Sequence, residues 1–188
     1  SPIAVQDLSD SGPGTLRQAL IDVCAGGTID FDLTYPSTVT LASGQALTLT
    51  KDVTIAGPGA DLLAVSGNSN TRVFMVNGGV NATIDGLTVR DGRSTSAGGG
   101  GIYNAGTLTI TNGAVTNNFA VPGGGGIHNA GILVMVSSTL TNNFGISGVG
   151  GIYNVDTLSV ISSTLSGNSS SGGAGGIYSS GVLTMSTS

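Results

Sequence analysis

Ile102, Ile127, Ile152 and Ile177 recur at every twenty-fifth position, each inside nearly the same short unit: GGIYN, GGIHN, GGIYN and GGIYS. Self-similarity at so short a period narrows the fold more than any bulk property does. Each unit has three parts. The first is the Gly-Gly-Ile-aromatic-Asn segment. The second is an alternating stretch with apolar residues two apart: Leu108 and Ile110, Leu133 and Met135, Leu158 and Val160, Leu183 and Met185. The third is a shorter strand ending in Asn: Val115 to Asn118, Leu140 to Asn143, Leu165 to Asn168. No window of these repeats carries a helical period.

Twenty-five residues are too few for a propeller blade but suit one turn of a parallel β-helix, three short strands joined by turns. One such unit cannot bury its own apolar face, whereas equivalent strands stacked about 4.8 Å apart build a continuous core. The predicted fold is therefore all-β: a right-handed parallel β-helix with three-strand coils of about 25 residues and an N-terminal capping helix. Stacking turns sequence columns into spatial ones. Ile102, Ile127, Ile152 and Ile177 form an inward ladder. Asn118, Asn143 and Asn168 form an amide ladder at a corner, and Asn104, Asn129 and Asn154 a second one ending in Ser179. Tyr103, His128, Tyr153 and Tyr178 point outward and stack. The glycines sit at corners that need a positive φ or a close approach to the next coil.

Upstream, VTLASGQALTLTKDVTIAGPGADLLAVSG and RVFMVNGGVNATIDGLTVRDG read as short strands broken by Gly, Pro and Asn, hence as earlier and less regular coils. Six or seven coils would stand about 30 Å tall at strand spacing. Residues 1–33 read as a cap, a short strand plus an amphipathic helix. There Thr15 caps a stripe of Leu16, Ala19, Leu20 and Val23, and Gly26 and Gly27 end it. Residues 34–188 read as the solenoid, regular from about residue 98. The helix is placed to cover the first coil, whose edges and core would otherwise face water.

Composition narrows the function. Charged residues are 8% of the chain, against about 25% in ordinary domains. All ten acids are Asp, and Ser, Thr and Asn supply the polar surface. Such a surface suits a rigid extracellular object, and an N-terminus of Ser-Pro is read as the mature end left after export. The net charge is −5, and the five bases (Arg17, Lys51, Arg72, Arg90 and Arg93) form no run. Nucleic acid, which needs a clustered basic footprint, is not an expected partner. No stretch is long and apolar enough to span a bilayer, so membrane insertion is not expected. Cys24 is the one cysteine, read as a small buried apolar residue.

The segments DSGPGTLRQAL, GGTIDF, DVTIAGPGADLLAVSG and RVFMVNGGVNATIDGLTV, with the GGGIYNAGTLTIT repeats, resemble bacterial extracellular right-handed parallel β-helix proteins. That group carries a CSLREA-type N-terminal segment and is similar to the polymorphic outer-membrane protein repeats. The resemblance covers essentially the whole chain. It implies the fold, the N-terminal capping and surface-adhesion or wall-associated roles, and it brings no catalytic motif.

Parallel β-helices also carry pectate lyases, polygalacturonases and related enzymes. A lyase needs a base and acidic residues holding a cation; a hydrolase needs facing carboxylates. Beyond residue 95 the only candidates are His128 and Asp156, neither with a partner in the pattern. The one charged cluster is IDGLTVRDGR, with Asp85, Arg90, Asp91 and Arg93. It reads either as a lyase-like base with cation ligands or as a solvated turn with local ion pairs. Asp30 and Asp32 alternate along a strand near the cap and are assigned to turns. The glycine runs lack the recurrent Asp of Ca²⁺-binding nonapeptides and the Lys-Ser/Thr of a phosphate loop, so no cofactor is expected. From residue 107 onward the outward positions do not stack Thr on Thr, which argues against an ice-binding face.

The same positions leave Ile132, Val134 and Val136 outward if Leu133 and Met135 point in. With Ile161 and Val182 they make an apolar patch of the kind that marks a contact surface. Ser188 falls in mid-coil, an arrangement that invites another strand. The expected function is a non-catalytic structural or adhesive solenoid module at the cell surface or outside the cell. Its expected partners are further copies, laterally or end to end, or other surface proteins and glycans. The rivals are a self-assembling filament subunit and a polysaccharide-active enzyme or glycan-binding domain centred on Asp85, Arg90 and Asp91.

Overall fold

A computed structural model describes residues 2–96 and 98–186. The chain opens with β1 (Ile3–Val5), a seven-residue helix α1 (Leu16–Asp22) and β2 (Gly27–Phe31). Two looser coils follow: β3 (Ser37–Thr40), β4 (Leu47–Leu49) and β5 (Val53–Ala56), then β6 (Leu63–Ser66), β7 (Phe74–Val76) and β8 (Asn81–Asp85). The next coil holds β9 (Thr88–Arg90), β10 (Arg93–Ser94), β11 (Ile102–Asn104) and β12 (Thr107–Thr111). The regular part continues with β13 (Ala114–Thr116), β14 (Phe119–Ala120), β15 (Ile127–Asn129) and β16 (Ile132–Val136). After it come β17 (Thr139–Thr141), β18 (Phe144–Gly145), β19 (Ile152–Asn154) and β20 (Thr157–Ile161). The last coil is β21 (Thr164–Ser166), β22 (Ser169–Ser170), β23 (Ile177–Ser179) and β24 (Val182–Ser186).

These strands stack as a parallel β-solenoid of about seven turns. The long sheet runs β1-β2-β5-β8-β12-β16-β20-β24, the second sheet β3-β6-β9-β13-β17-β21, and the third β4-β7-β11-β15-β19-β23. From β10 onward the coils carry a fourth, two-residue strand, giving the short sheet β10-β14-β18-β22. The expected three-strand coil thus holds for the first turns only. The repeat also starts earlier than the sequence pattern does. Paired positions in the long sheet are Ile3, Ile29, Ile55, Ile84, Ile110, Met135, Val160 and Met185. Their spacing is widest between Ile55 and Ile84 and becomes constant from Ile110 onward. The expected boundary at residue 33 falls after β2, which is already a rung of that sheet.

Alternate side chains of the strands as far as β20 point into one continuous core, while Leu183 and Met185 on the last rung are exposed. Its columns include Ile29, Ile55, Ile84, Ile110, Met135 and Val160 from the long sheet and Val39, Val65, Val89, Val115 and Leu140 from the second, all essentially without solvent exposure. The isoleucine column pairs in register as expected, Ile102 with Ile127, Ile127 with Ile152 and Ile152 with Ile177. Upstream it continues as Phe74 and Leu47.

Two buried amide ladders thread the regular coils. Asn118 Nδ2 donates to Asn143 Oδ1 at 2.9 Å, and Asn143 Nδ2 to Asn168 Oδ1 at 2.9 Å. Each amide also donates to a carbonyl of the coil before it, Val89, Val115 and Leu140 in turn. Asn104 donates to Asn129 and Asn129 to Asn154, both at 2.7 Å, and Asn154 reaches Ser179 at 2.9 Å. In the earlier coils this second column is apolar, Leu49 and Val76.

The corners use more residue types than glycine. Two left-handed corner columns flank the second sheet. One holds Gly86, Asn112, Ser137 and Ser162, the other Asp91, Asn117, Asn142 and Gly167. Asn, Asp and Ser therefore supply most of the positive φ there, as their short polar side chains permit. The glycine runs meet both demands: Gly98, Gly99 and Gly123 have positive φ, and the glycines after them serve close approach. A Cβ on Gly125 would run into the carbonyl oxygens of Phe144 and Gly150, both in the next coil.

Helix α1 sits against β1 and β4 at the first coil. The Thr15 hydroxyl accepts from Gln18 N, and Leu16, Ala19, Leu20 and Val23 are buried. The helix ends at Asp22, earlier than Gly26 and Gly27, with Val23 extended. Lys51 Nζ donates to the carbonyls of Ile21 and Val23 at 2.8 Å each, closing the C-terminal end. Arg17 binds the Asp10 carboxylate and the carbonyls of Gln45 and Ala46. Cys24, expected inside, is exposed in the turn after the helix, because Val23 takes the inward position.

These contacts set the effect of two substitutions. Asn143→Ala takes the acceptor from the Asn118 backbone N–H and one hydrogen bond each from the Asn118 side-chain amide and the Val115 carbonyl, all in a dry interior. It should cost about 3 kcal/mol, read as a lower midpoint in urea, while Thr139→Ala on the outer surface changes little. Burial pushes the Asp10 carboxyl up, but hydrogen bonds from Ser43 and Arg17 and the charge of Arg17 outweigh it and hold the pKa below its ordinary value. The folded pKa is the lower one, so this contribution is complete above about pH 4 and is lost as pH falls through the folded value. Thermal melts between pH 2 and 5 should show a shallower pH dependence for Arg17→Ala than for the parent chain.

Candidate functional site

Outward positions stack as strictly as inward ones, so the surface consists of columns. On the third sheet the rings of Tyr103, His128, Tyr153 and Tyr178 form one stack, with centroids 5.1 Å apart at each step and interplanar angles of 21–28°. The Arg72 guanidinium closes the upper end, 5.1 Å from the Tyr103 centroid. It also donates to the carbonyls of Gly98 and Gly99 and to Ser94 Oγ, pinning the first glycine run to the stack. The short sheet repeats the device: Arg93 lies 4.7 Å from the Phe119 centroid, and Phe119 and Phe144 stack at 6.0 Å. Neither arginine cap was expected from the sequence. The only signal is that each arginine stands one coil ahead of an aromatic residue in the same or the adjoining outward column.

Because neighbouring rings cover each other, their faces are not free to receive a sugar by stacking. What the column offers to solvent is ring edges and phenol hydroxyls. Tyr178, on the last rung of the stack, is 46% exposed.

His128 is the odd member of its column. Its Nδ1 is buried without a hydrogen-bond partner and lies against the backbone of Gly98 and Gly123. Burial lowers its pKa, and the charge of Arg72 lowers it further. The folded pKa therefore lies below the unfolded one. Stability from this site is complete above about pH 6.5 and is lost as pH falls through the folded value. His128→Tyr continues the stack and removes the unpaired nitrogen. It should stabilise the fold by about 1 kcal/mol and flatten the melting temperature between pH 5 and 7; an unchanged pH profile would contradict this account.

Of the charged cluster only Arg90 and Asp91 are brought together. Asp85 projects from the outer face of the long sheet and accepts from Thr111 Oγ1 and Asn112 Nδ2. Arg90, past the next corner, lies on the second sheet, where it donates to Thr38 Oγ1 and pairs with Asp91 at 3.1 Å. Asp91 also accepts from Ser66, and Arg93 is engaged on Phe119. Four residues close in sequence thus serve three faces, each bound within its own surroundings. Asp156 accepts from the hydroxyl of Thr157. Among the described residues no group of three or more His, Cys, Asp or Glu side chains is placed to share a metal ion.

The apolar patch is present. The outer face of the long sheet reads, rung by rung, Thr107-Thr109-Thr111, Ile132-Val134-Val136, Thr157-Ser159-Ile161 and Val182-Thr184-Ser186. Ile132 is 43% and Val182 61% exposed, while Val134, Val136 and Ile161 are half-buried by their neighbours. Upstream the same face is polar, and its centre column is unbroken threonine: Thr28, Thr54, Thr83 and Thr109. Thr therefore does stack on Thr in the earlier coils, where no constant period marks it. Among the described residues no helix is long and apolar enough to cross a membrane.

No protein-family model matches the chain, and no curated protein matches it. Among solved structures the chain is similar to the ORF18 protein of Geobacillus virus E2, with 10% identity and a TM-score of 0.33 over 99% of this chain. The chain spans 61% of the length of that protein. So loose a superposition carries no argument about this molecule.

Proposed function

We propose that the chain is a non-catalytic, extracellular structural or adhesive β-solenoid module. In this reading it is of the kind found in bacterial surface proteins with CSLREA-type N-terminal segments and polymorphic outer-membrane-type repeats. The observation that carries the reading is the ordering of outward side chains into columns. The Tyr/His stack, the Phe pair and the Thr28-Thr54-Thr83-Thr109 column each repeat one chemistry from coil to coil, about every 4.8 Å. A repeating surface engages an extended or repetitive partner, whereas bond cleavage needs different groups converging on one point. The dispersal of Asp85, Arg90, Asp91 and Arg93 over three faces and the low charge of the chain support it further. Self-association is favoured by the apolar rows of the long sheet.

The test pairs turnover with retention. Uronate polysaccharides incubated with the chain, with and without Ca²⁺, should yield no unsaturated or shortened product. Co-sedimentation with purified peptidoglycan and insoluble cell-wall polysaccharides should show saturable retention. Product formation that disappears in Asp85→Asn or Arg90→Ala would establish the enzymatic rival, and no retention on any surface polymer would remove the adhesive role.

A further inference from the structure

Charge is distributed unevenly along the rod. All five basic residues and nine of the ten Asp lie before residue 94, and beyond it Asp156 is the only acid. The outer face of the long sheet follows this division. Its early rungs carry Asp30, Asp85 and Asn81, and its later rungs carry Ile132, Val134, Val136, Ile161 and Val182. A face of β-branched apolar side chains without charge is left to water in a chain whose net charge is −5.

The relief of that face is specific. The rung Ile132-Val134-Val136 is a ridge, and the rung beside it, Thr157-Ser159-Ile161, is slimmer at its first two positions. Small residues therefore lie directly alongside bulky ones in two of the three columns. We propose that this face pairs with the same face of a second copy, about a two-fold axis parallel to the strands between β16 and β20. That axis sets Val134 of each copy over Ser159 of the other and Ile132 over Thr157, reciprocally, as an isologous contact requires. It keeps the strands of the two sheets aligned, the usual sheet-on-sheet arrangement. It also runs the two rods antiparallel, so their charged halves point away from each other. The alternative two-fold, along the rod, would lay the Asp-bearing halves side by side with no basic residue on the face to balance them. A second copy fits better than a charged partner, because the face offers no countercharge.

Four rungs of five residues span roughly 300 Å² per copy at strand dimensions, far below the roughly 800 Å² per partner of a standard interface. The pairing is therefore weak and depends on concentration. It names an occupant for one face of the module proposed above. That reading stands or falls on turnover and polymer retention, whichever way sedimentation comes out.

Sedimentation velocity of the full chain over a dilution series reaching about 1 mM should fit a monomer–dimer equilibrium. Val134→Asp, with its circular dichroism and melting unchanged, should weaken it at least tenfold, while Thr139→Asp on the second sheet leaves it as it is. In a Cys24→Ser background, a mixture of Thr109→Cys and Thr184→Cys chains should be joined by a short bis-maleimide, and neither chain alone should be, because the axis sets these two residues over each other and holds like residues three strand spacings aside. A monomer at every concentration, open-ended growth, equal effects of Val134→Asp and Thr139→Asp, or efficient linking of one variant to itself would each overturn the proposal.

Discussion

Register between coils is the constraint on which the rest of the molecule depends. In a parallel stack every side chain lies over its counterpart one turn earlier, so each position must tolerate its own neighbour about 4.8 Å away. Aliphatic residues meet this condition inside, and Asn meets it where the core borders a turn. An amide both donates and accepts, so one Asn can bind the next and still satisfy a backbone carbonyl, as Asn118, Asn143 and Asn168 do. A carboxylate in the same column would oppose a carboxylate. The same logic reaches the surface, where stacked rings tolerate one another and stacked charges do not. The regular coils are accordingly almost free of charge.

Much of this was legible in the sequence because identical columns need identical residues at a fixed interval. Ile102, Asn118, Asn104 and Tyr103 each announce their ladder by recurring, as themselves or as a close substitute, one period later. What stayed hidden lacks such a period. The early coils are longer and unequal in length, since the loops at 57–62 and 67–73 add residues without changing the stacked strands. Their inward residues alternate among Ile, Val and Leu, so the stacking is real but the text does not repeat. The two-residue strands of the short sheet are below any pattern's reach. Arg72 and Arg93 cap aromatic stacks that lie a coil further along, a relation visible only once the coil length is known.

The candidate site shows the converse error. Asp85, Arg90 and Asp91 sit within seven positions, and proximity in sequence reads as proximity in space. A solenoid corner separates Asp85 from the Arg90–Asp91 pair: β8 ends at Asp85, the chain turns at Gly86, and β9 faces another direction. In this architecture residues one full coil apart are neighbours, and residues five apart across a corner are not. A site would have to be sought across rungs, and across rungs this surface repeats. That repetition is why presentation of a regular surface accounts for the molecule better than convergent chemistry does.

The central claim is the in-register stack, and a distance along it tests the claim most directly. Thr54 and Thr184 occupy the same outward column of the long sheet, five rungs apart. Spin labels at these positions in a Cys24→Ser chain should give a narrow distance distribution by dipolar spectroscopy, centred at about 24 Å, as five strand spacings require. A broad distribution, or a centre displaced by more than one or two strand spacings, would contradict the stacked register and the columns derived from it.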